Sequence, residues 1–167
     1  MRRVLPLLVL LLIAPGDVGA GGWGSIEPGV STVESVRARY GEPSTETSAK
    51  VGGYDTRQWV YESDRAPAGL VRITVDFGLL TPAGYTPSLV RLLKLEPKPL
   101  IFGRNTVIQG WGVPDGAEKQ EGSMTFFYKE GLFVIFDKEG ESAVTMIFSL
   151  PQPDAPEPSA PSAPPKK

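Results

Sequence analysis

The sequence predicts an α+β domain of two αβββ units, short helices packed on a mainly antiparallel sheet, followed by a disordered proline-rich tail. Three observations point there. Helix-start and helix-stop signals bracket residues 31–43, a clean period-two alternation follows at 71–77, and the order of these signals recurs in the second half of the chain.

From the N-terminus, Met1-Arg2-Arg3 gives a positive start, Val4 to Ala14 is almost wholly apolar, and Val18-Gly19-Ala20 places small residues where a signal peptidase reads. That run is too short for a bilayer, which takes about 20 residues, and no cysteine follows to carry a lipid. Residues 1–20 are therefore expected to be a signal peptide, leaving a periplasmic or secreted chain from Gly21 with no stable membrane anchor. Ser31-Thr32-Val33-Glu34 has capping-box spacing, Val33, Val36 and Tyr40 share one helical face, and Gly41 with Pro43 stops the helix. Strands are expected at 57–62, 71–77 and 89–95. In the middle one Val71, Ile73, Val75 and Phe77 alternate with Arg72, Thr74 and Asp76, as when one face is buried and the other wet. Gly52-Gly53 reads as a flexible segment and 78–88 as a loop.

The second half repeats this order. Gly41-Glu42-Pro43 is echoed by Gly112-Val113-Pro114, Val36 and Tyr40 by Val107 and Trp111, Tyr61 by Tyr128, Asp76 by Asp137, and Val90 by Val144. The units span 21–97 and 98–150. The tail, 151–167, has seven prolines and no aromatic or β-branched residue, so nothing offsets the entropy of ordering it.

Composition narrows the function. All 15 aromatic residues lie between Trp23 and Phe148, so the middle of the chain holds the core. With no histidine and no cysteine there is no Ser-His or Cys-His pair, no disulfide and no zinc or iron–sulfur ligation. A net charge of -2 and no basic block in the middle argue against nucleic acid. No metal site, cofactor or catalytic set is expected. Asp76 and Asp137, each just after an apolar stretch, read as solvated strand ends; a small carboxylate-based hydrolase would need such groups to converge in a cleft.

Ile26-Glu27-Pro28-Gly29-Val30-Ser31-Thr32-Val33-Glu34-Ser35-Val36, with Tyr40-Gly41-Glu42-Pro43 and Trp59-Val60-Tyr61, resembles the opening of the small SmpA/OmlA-type outer-membrane lipoproteins of the β-barrel assembly machinery. The doubled unit is similar to the tandem repeat of the β-lactamase inhibitor protein. Both resemblances imply helices against an antiparallel sheet in a binding or scaffolding protein. The chain departs from both, having neither the lipoprotein cysteine nor the inhibitor's disulfides.

The anomaly is the hairpin from Met124 to Asp137. With Glu130-Gly131 as a two-residue turn, one face carries Met124, Phe126, Tyr128, Phe133 and Ile135 and the other Phe127, Leu132, Val134 and Phe136. A three-residue loop changes the cross-strand partners but leaves aromatic residues on both faces. Aligning Asp137 with Asp76 sets Val134 and Phe136 beside the helix and Phe133 and Ile135 where the first unit has Arg72 and Thr74. Either the outer face is covered from within the chain, by 78–88 with Leu79, Leu80 and Tyr85 or by the other repeat, or Phe126, Tyr128, Phe133 and Ile135 bind a protein. The expectation is an exported, non-catalytic binding or envelope-associated module whose sheet face meets a protein partner, an envelope component or a second copy. A homodimeric structural protein is the other non-catalytic alternative. Mass spectrometry of the exported protein should find a chain beginning at Gly21 with no acyl mass; an intact Met1 would refute the processing.

Overall fold

The computed structural model describes residues 21–120 and 122–152, so the expected export signal and the tail beyond Gln152 lie outside the described residues. The chain forms helix α1 (Val33–Tyr40), strands β1 (Thr45–Val51), β2 (Tyr54–Glu62), β3 (Leu70–Thr81) and β4 (Gly84–Pro97), then helix α2 (Arg104–Trp111) and strands β5 (Gly116–Gln120), β6 (Ser123–Tyr128), β7 (Leu132–Phe136) and β8 (Ala143–Phe148). One α+β sheet of eight strands results, in the order β1-β2-β3-β4-β8-β7-β6-β5, every neighbour antiparallel. Four strands follow each helix, not the expected three. The additions, β1 and β5, are the two sheet edges, and their polar sequences (Thr-Glu-Thr-Ser-Ala-Lys-Val and Gly-Ala-Glu-Lys-Gln) carry no apolar face to read.

Local chemistry explains the boundaries. The capping box sits one residue later than its spacing suggested: the Thr32 hydroxyl accepts from Ser35 N–H, and the Ser35 hydroxyl oxygen accepts from Thr32 N–H at 2.7 Å. Ser31 instead accepts from the Glu27 N–H at 2.9 Å, closing the turn before the helix. Gly52-Gly53 is the two-residue turn between β1 and β2, at φ of 59° and 87°, a left-handed pair that glycine adopts at no steric cost. Residues 78–88 are the far end of the β3–β4 hairpin, where the Tyr85 hydroxyl bonds the Asp55 carbonyl on β2. Val71 is a bulge residue and half exposed at 50%; Leu70, at 2%, takes the buried place alternation had given it.

Both helices pack on one face. Val33 and Val36 share one core with Trp59, Tyr61, Ile73, Val75, Phe77, Leu93 and Leu95, and Val107 belongs to the same core with Phe126, Tyr128, Leu132, Val134, Phe136, Met146 and Phe148. Trp111 is partly buried against that core beside Phe102 and Phe148. A core tyrosine anchors each helix C-terminus: the Tyr61 hydroxyl donates to the Gly41 carbonyl at 3.0 Å and the Tyr128 hydroxyl to the Gly112 carbonyl at 3.1 Å. Both glycines cap their helices at positive φ, with N–H groups donating to Arg37 and Ile108 carbonyls at 2.8 Å.

Replacing either tyrosine by phenylalanine should cost about 1 kcal/mol in a denaturant melt, the usual net worth of one buried hydrogen bond. A loss within error at both sites would refute the anchoring role. Burial pushes the phenols of Tyr40 and Tyr61 up to about 12. For a raised pKa the stabilising contribution is whole below the unfolded value near 10 and disappears as pH climbs towards 12, so unfolding titrations should show an alkaline loss of stability in that window.

Candidate protein-binding face

With the helices on one side, the opposite side of the sheet carries the alternate residue of every strand. One row can be followed from edge to edge through the register: Thr45, Val60, Thr74, Lys94, Ile147, Phe133, Phe127, Gly116. The row changes character midway. On β1–β4 it is polar apart from Val60, and on β8–β6 it is apolar.

The polar half is a groove of about 490 Å³ lined by residues such as Gln58, Glu62, Arg72, Asp76, Lys94 and Glu96. Its charges are paired, across strands and, for Lys94 with Glu96, along β4. Arg72 donates to one Glu62 oxygen from Nε at 3.0 Å and Nη2 at 2.7 Å and lies 3.6 Å from Glu96, which also meets Lys94 at 3.0 Å. The hydrogen bond to Glu62, with Glu96 alongside, holds the Arg72 guanidinium above its ordinary pKa. Gln58 donates to Asp76 at 2.8 Å, and Arg91 approaches it at 3.5 Å.

The apolar half is built by the β6–β7 hairpin and β8. Tyr128 pairs with Leu132, so the loop is the three residues Lys129-Glu130-Gly131, and this register decides the faces. Phe127 and Phe133 pair on the outer face with ring centroids 5.7 Å apart and planes at 87°, an edge-to-face contact. Ile135 and Ile147 lie beside them, and all four are half-buried.

The expected binding set is thus split. Phe133 and Ile135 are on the outer face, but Phe126 and Tyr128 are on the helix side at 7% and 3% exposure, Phe126 against Phe136 with centroids at 4.8 Å. The two-residue turn put them on the wrong face by shifting the pairing one place. Phe127, assigned inward by that turn, is the aromatic residue that joins Phe133 outside. Ile147 and the polar groove were missed; cross-strand order, absent from a linear sequence, is what unites them. The stretch 78–88 does not cover this patch, since its Tyr85 packs on Tyr54 at 4.5 Å near the first edge.

Asp76 and Asp137 do not converge. Asp76 faces the groove, whereas both Asp137 oxygens accept backbone N–H groups, from Glu141 at 2.8 Å and Ser142 at 3.2 Å, and so close the β7–β8 turn. Asp137 is a turn residue, not a solvated strand end. Among the described residues no three acidic side chains are placed to share a metal ion.

Fold and face together define a class, an α+β protein whose sheet, among the described residues, has one face under the helices and the other part polar and part apolar. No family model and no curated protein matches the chain. It is similar to the crystal structure of a DUF4309 family protein (YjgB) from Bacillus subtilis subsp. subtilis str. 168, at 10% identity, covering 75% of this chain and 82% of that one, with a TM-score of 0.46.

Phe133→Thr with Ile135→Thr should remain folded, losing about 1–2 kcal/mol through the aromatic pair and partial burial. Phe126→Ala should lose about 3–5 kcal/mol as a core cavity. Denaturant melts compare the two, and equal losses would mean that both faces are buried.

Proposed function

We propose that the protein is an exported, non-catalytic binding module, and that the outer sheet face is its contact with a protein partner. The observation that carries this reading is the apolar cluster Phe127, Phe133, Ile135 and Ile147 on the side of the sheet opposite both helices, continuous with a groove of fixed charge. Aromatic anchors supply most of the affinity in such contacts, and charged neighbours supply selectivity. The resemblance to outer-membrane assembly lipoproteins and to the β-lactamase inhibitor protein implies a binding or scaffolding role of the same kind.

We also infer that the chain is two copies of one unit, spanning 21–97 and 98–150, with a fourth strand added to each. Several parallels support this. Tyr61 and Tyr128 make the same bond to the glycine that caps their helix. Trp59 pairs with Val75 as Phe126 pairs with Val134, and Tyr61 with Ile73 as Tyr128 with Leu132. This alignment corrects the one built on Asp76 and Asp137: Val75 now corresponds to Val134, so Phe133 and Ile135 stand where the first copy has Thr74 and Asp76, two places from the earlier match but still outward. In this reading Val60, Thr74 and Lys94 became Phe127, Phe133 and Ile147 in the second copy.

The test is differential capture from the native envelope and the surrounding medium, using wild type and the folded Phe133→Thr, Ile135→Thr protein. Loss of an interface anchor commonly costs about 2 kcal/mol, roughly thirtyfold in affinity, so the bound partner should fall below detection with the variant. Equal recovery by both proteins would overturn the assignment.

A further inference from the structure

Away from the aromatic patch, Tyr54, just after the β1–β2 turn, meets Tyr85, just after the β3–β4 turn, and a cavity of about 300 Å³ opens beside them. Val51, Thr56, Leu80 and Arg91 also line it. Its apolar side chains are more exposed than the half-buried patch on β6–β8, with Leu80 at 61% and Tyr54 at 42%. The wall is fixed from below. Tyr85 crosses β3 over Gly78, where an added Cβ would collide with its hydroxyl, and that hydroxyl bonds the Asp55 carbonyl on β2. Tyr54 rests on Tyr85 with ring centroids 4.5 Å apart and planes at 33°. The two rings therefore make one stacked platform, not a slot into which a flat base could slide.

Beside the platform runs a polar row. Gln58 on β2 donates to one Asp76 oxygen on β3 at 2.8 Å, and Arg91 on β4, a lining residue of the cavity, lies 3.5 Å from the other. The charges of Asp76 and Arg91 offset each other, so an ion of either sign gains little there. A neutral ligand gains more if it can both donate and accept, because the row is mixed: Gln58 does both, Asp76 only accepts and Arg91 only donates. Hydroxyl groups have that dual character. The slightly positive C–H bonds on one face of a sugar ring match the electron-rich face of a tyrosine. A cavity of this size is at the lower end of small-ligand sites and encloses about one such ring.

We propose that this corner binds a neutral saccharide, its ring on the Tyr54–Tyr85 platform and its hydroxyls on Gln58, Asp76 and Arg91. The site shares no residue with the cluster Phe127, Phe133, Ile135 and Ile147, so it is independent of the protein contact proposed above. The experiment is saturation-transfer NMR on the exported protein with cellobiose, maltose, mannobiose and chitobiose, each at roughly 10 mM. Sialyllactose and glucose 6-phosphate serve as charged controls and adenosine as a flat one. At least one neutral disaccharide should take up saturation on its ring C–H protons. Its affinity should be the same at about 50 and about 500 mM salt, as an uncharged contact requires. It should shift the amides of Thr56, Gly78 and Leu80 and leave those of Phe133 and Ile147 in place. Tyr54→Ala should weaken it about tenfold or more through loss of a stacking anchor, whereas Phe133→Thr with Ile135→Thr should bind as wild type does. The amide shifts are read on the wild type, which keeps the test valid even if the Tyr54 variant folds poorly. No transfer to any of the four disaccharides, shifts confined to other residues, or undiminished binding by a folded Tyr54→Ala would overturn the proposal. So would binding of the charged sugars or adenosine alone.

Discussion

Two helices of eight residues must serve a sheet of eight strands, and that mismatch governs the rest of the molecule. Each helix is about 12 Å long, whereas eight strands spread over about 34 Å. Helices this short are marginal alone and hold their shape only through packing, so both are committed to one face, each tied to the sheet by a tyrosine bonded to its capping glycine. No described helix is left for the other face. Its chemistry is therefore set by solvent and by whatever binds there.

The outer face answers that exposure in two ways. On β1–β4 acids and bases are interleaved, Glu62 and Glu96 meeting Arg72 across strands and Lys94 meeting Glu96 along β4. Exposed pairs of this kind add at most about 1 kcal/mol each, so their main effect is to keep the surface wet. On β6–β8 the same positions hold Phe127, Phe133, Ile135 and Ile147, which can gain much more by losing water. The sheet edges are protected separately: β1 carries Glu46 and Lys50, and β5 carries Glu118 and Lys119, charges that discourage another strand from adding to the sheet.

Those differences also decide what could be read from the sequence. Elements with one apolar face announced themselves: Ile73, Val75 and Phe77 are all buried, Val33 and Val36 face the core, and Gly41 and Gly112 end their helices. The edge strands did not, because β1 and β5 are held by backbone hydrogen bonds and bury almost no side chain. The hairpin faces were illegible for another reason. When both faces are apolar, alternation no longer distinguishes them, and a loop of three residues rather than two moves Phe126 and Tyr128 from one side to the other. Bulges have the same effect locally, as Leu70 and Val71 show.

An outer face assembled this way is constrained by the core beneath it. Phe133 and Ile135 alternate with Leu132, Val134 and Phe136, all at 0% exposure, so the outer residues take their positions from a strand whose register the core has set. Outer substitutions can change chemistry without moving the backbone, since they add or remove atoms on the side where nothing in the described fold is packed. Inner ones cannot, because a cavity or an unpaired polar group beneath a helix costs several kcal/mol. If the two halves descend from one unit, they were free to diverge outward and held alike inward. A polar groove and an aromatic patch on one sheet, above a single continuous core, is the arrangement that constraint produces.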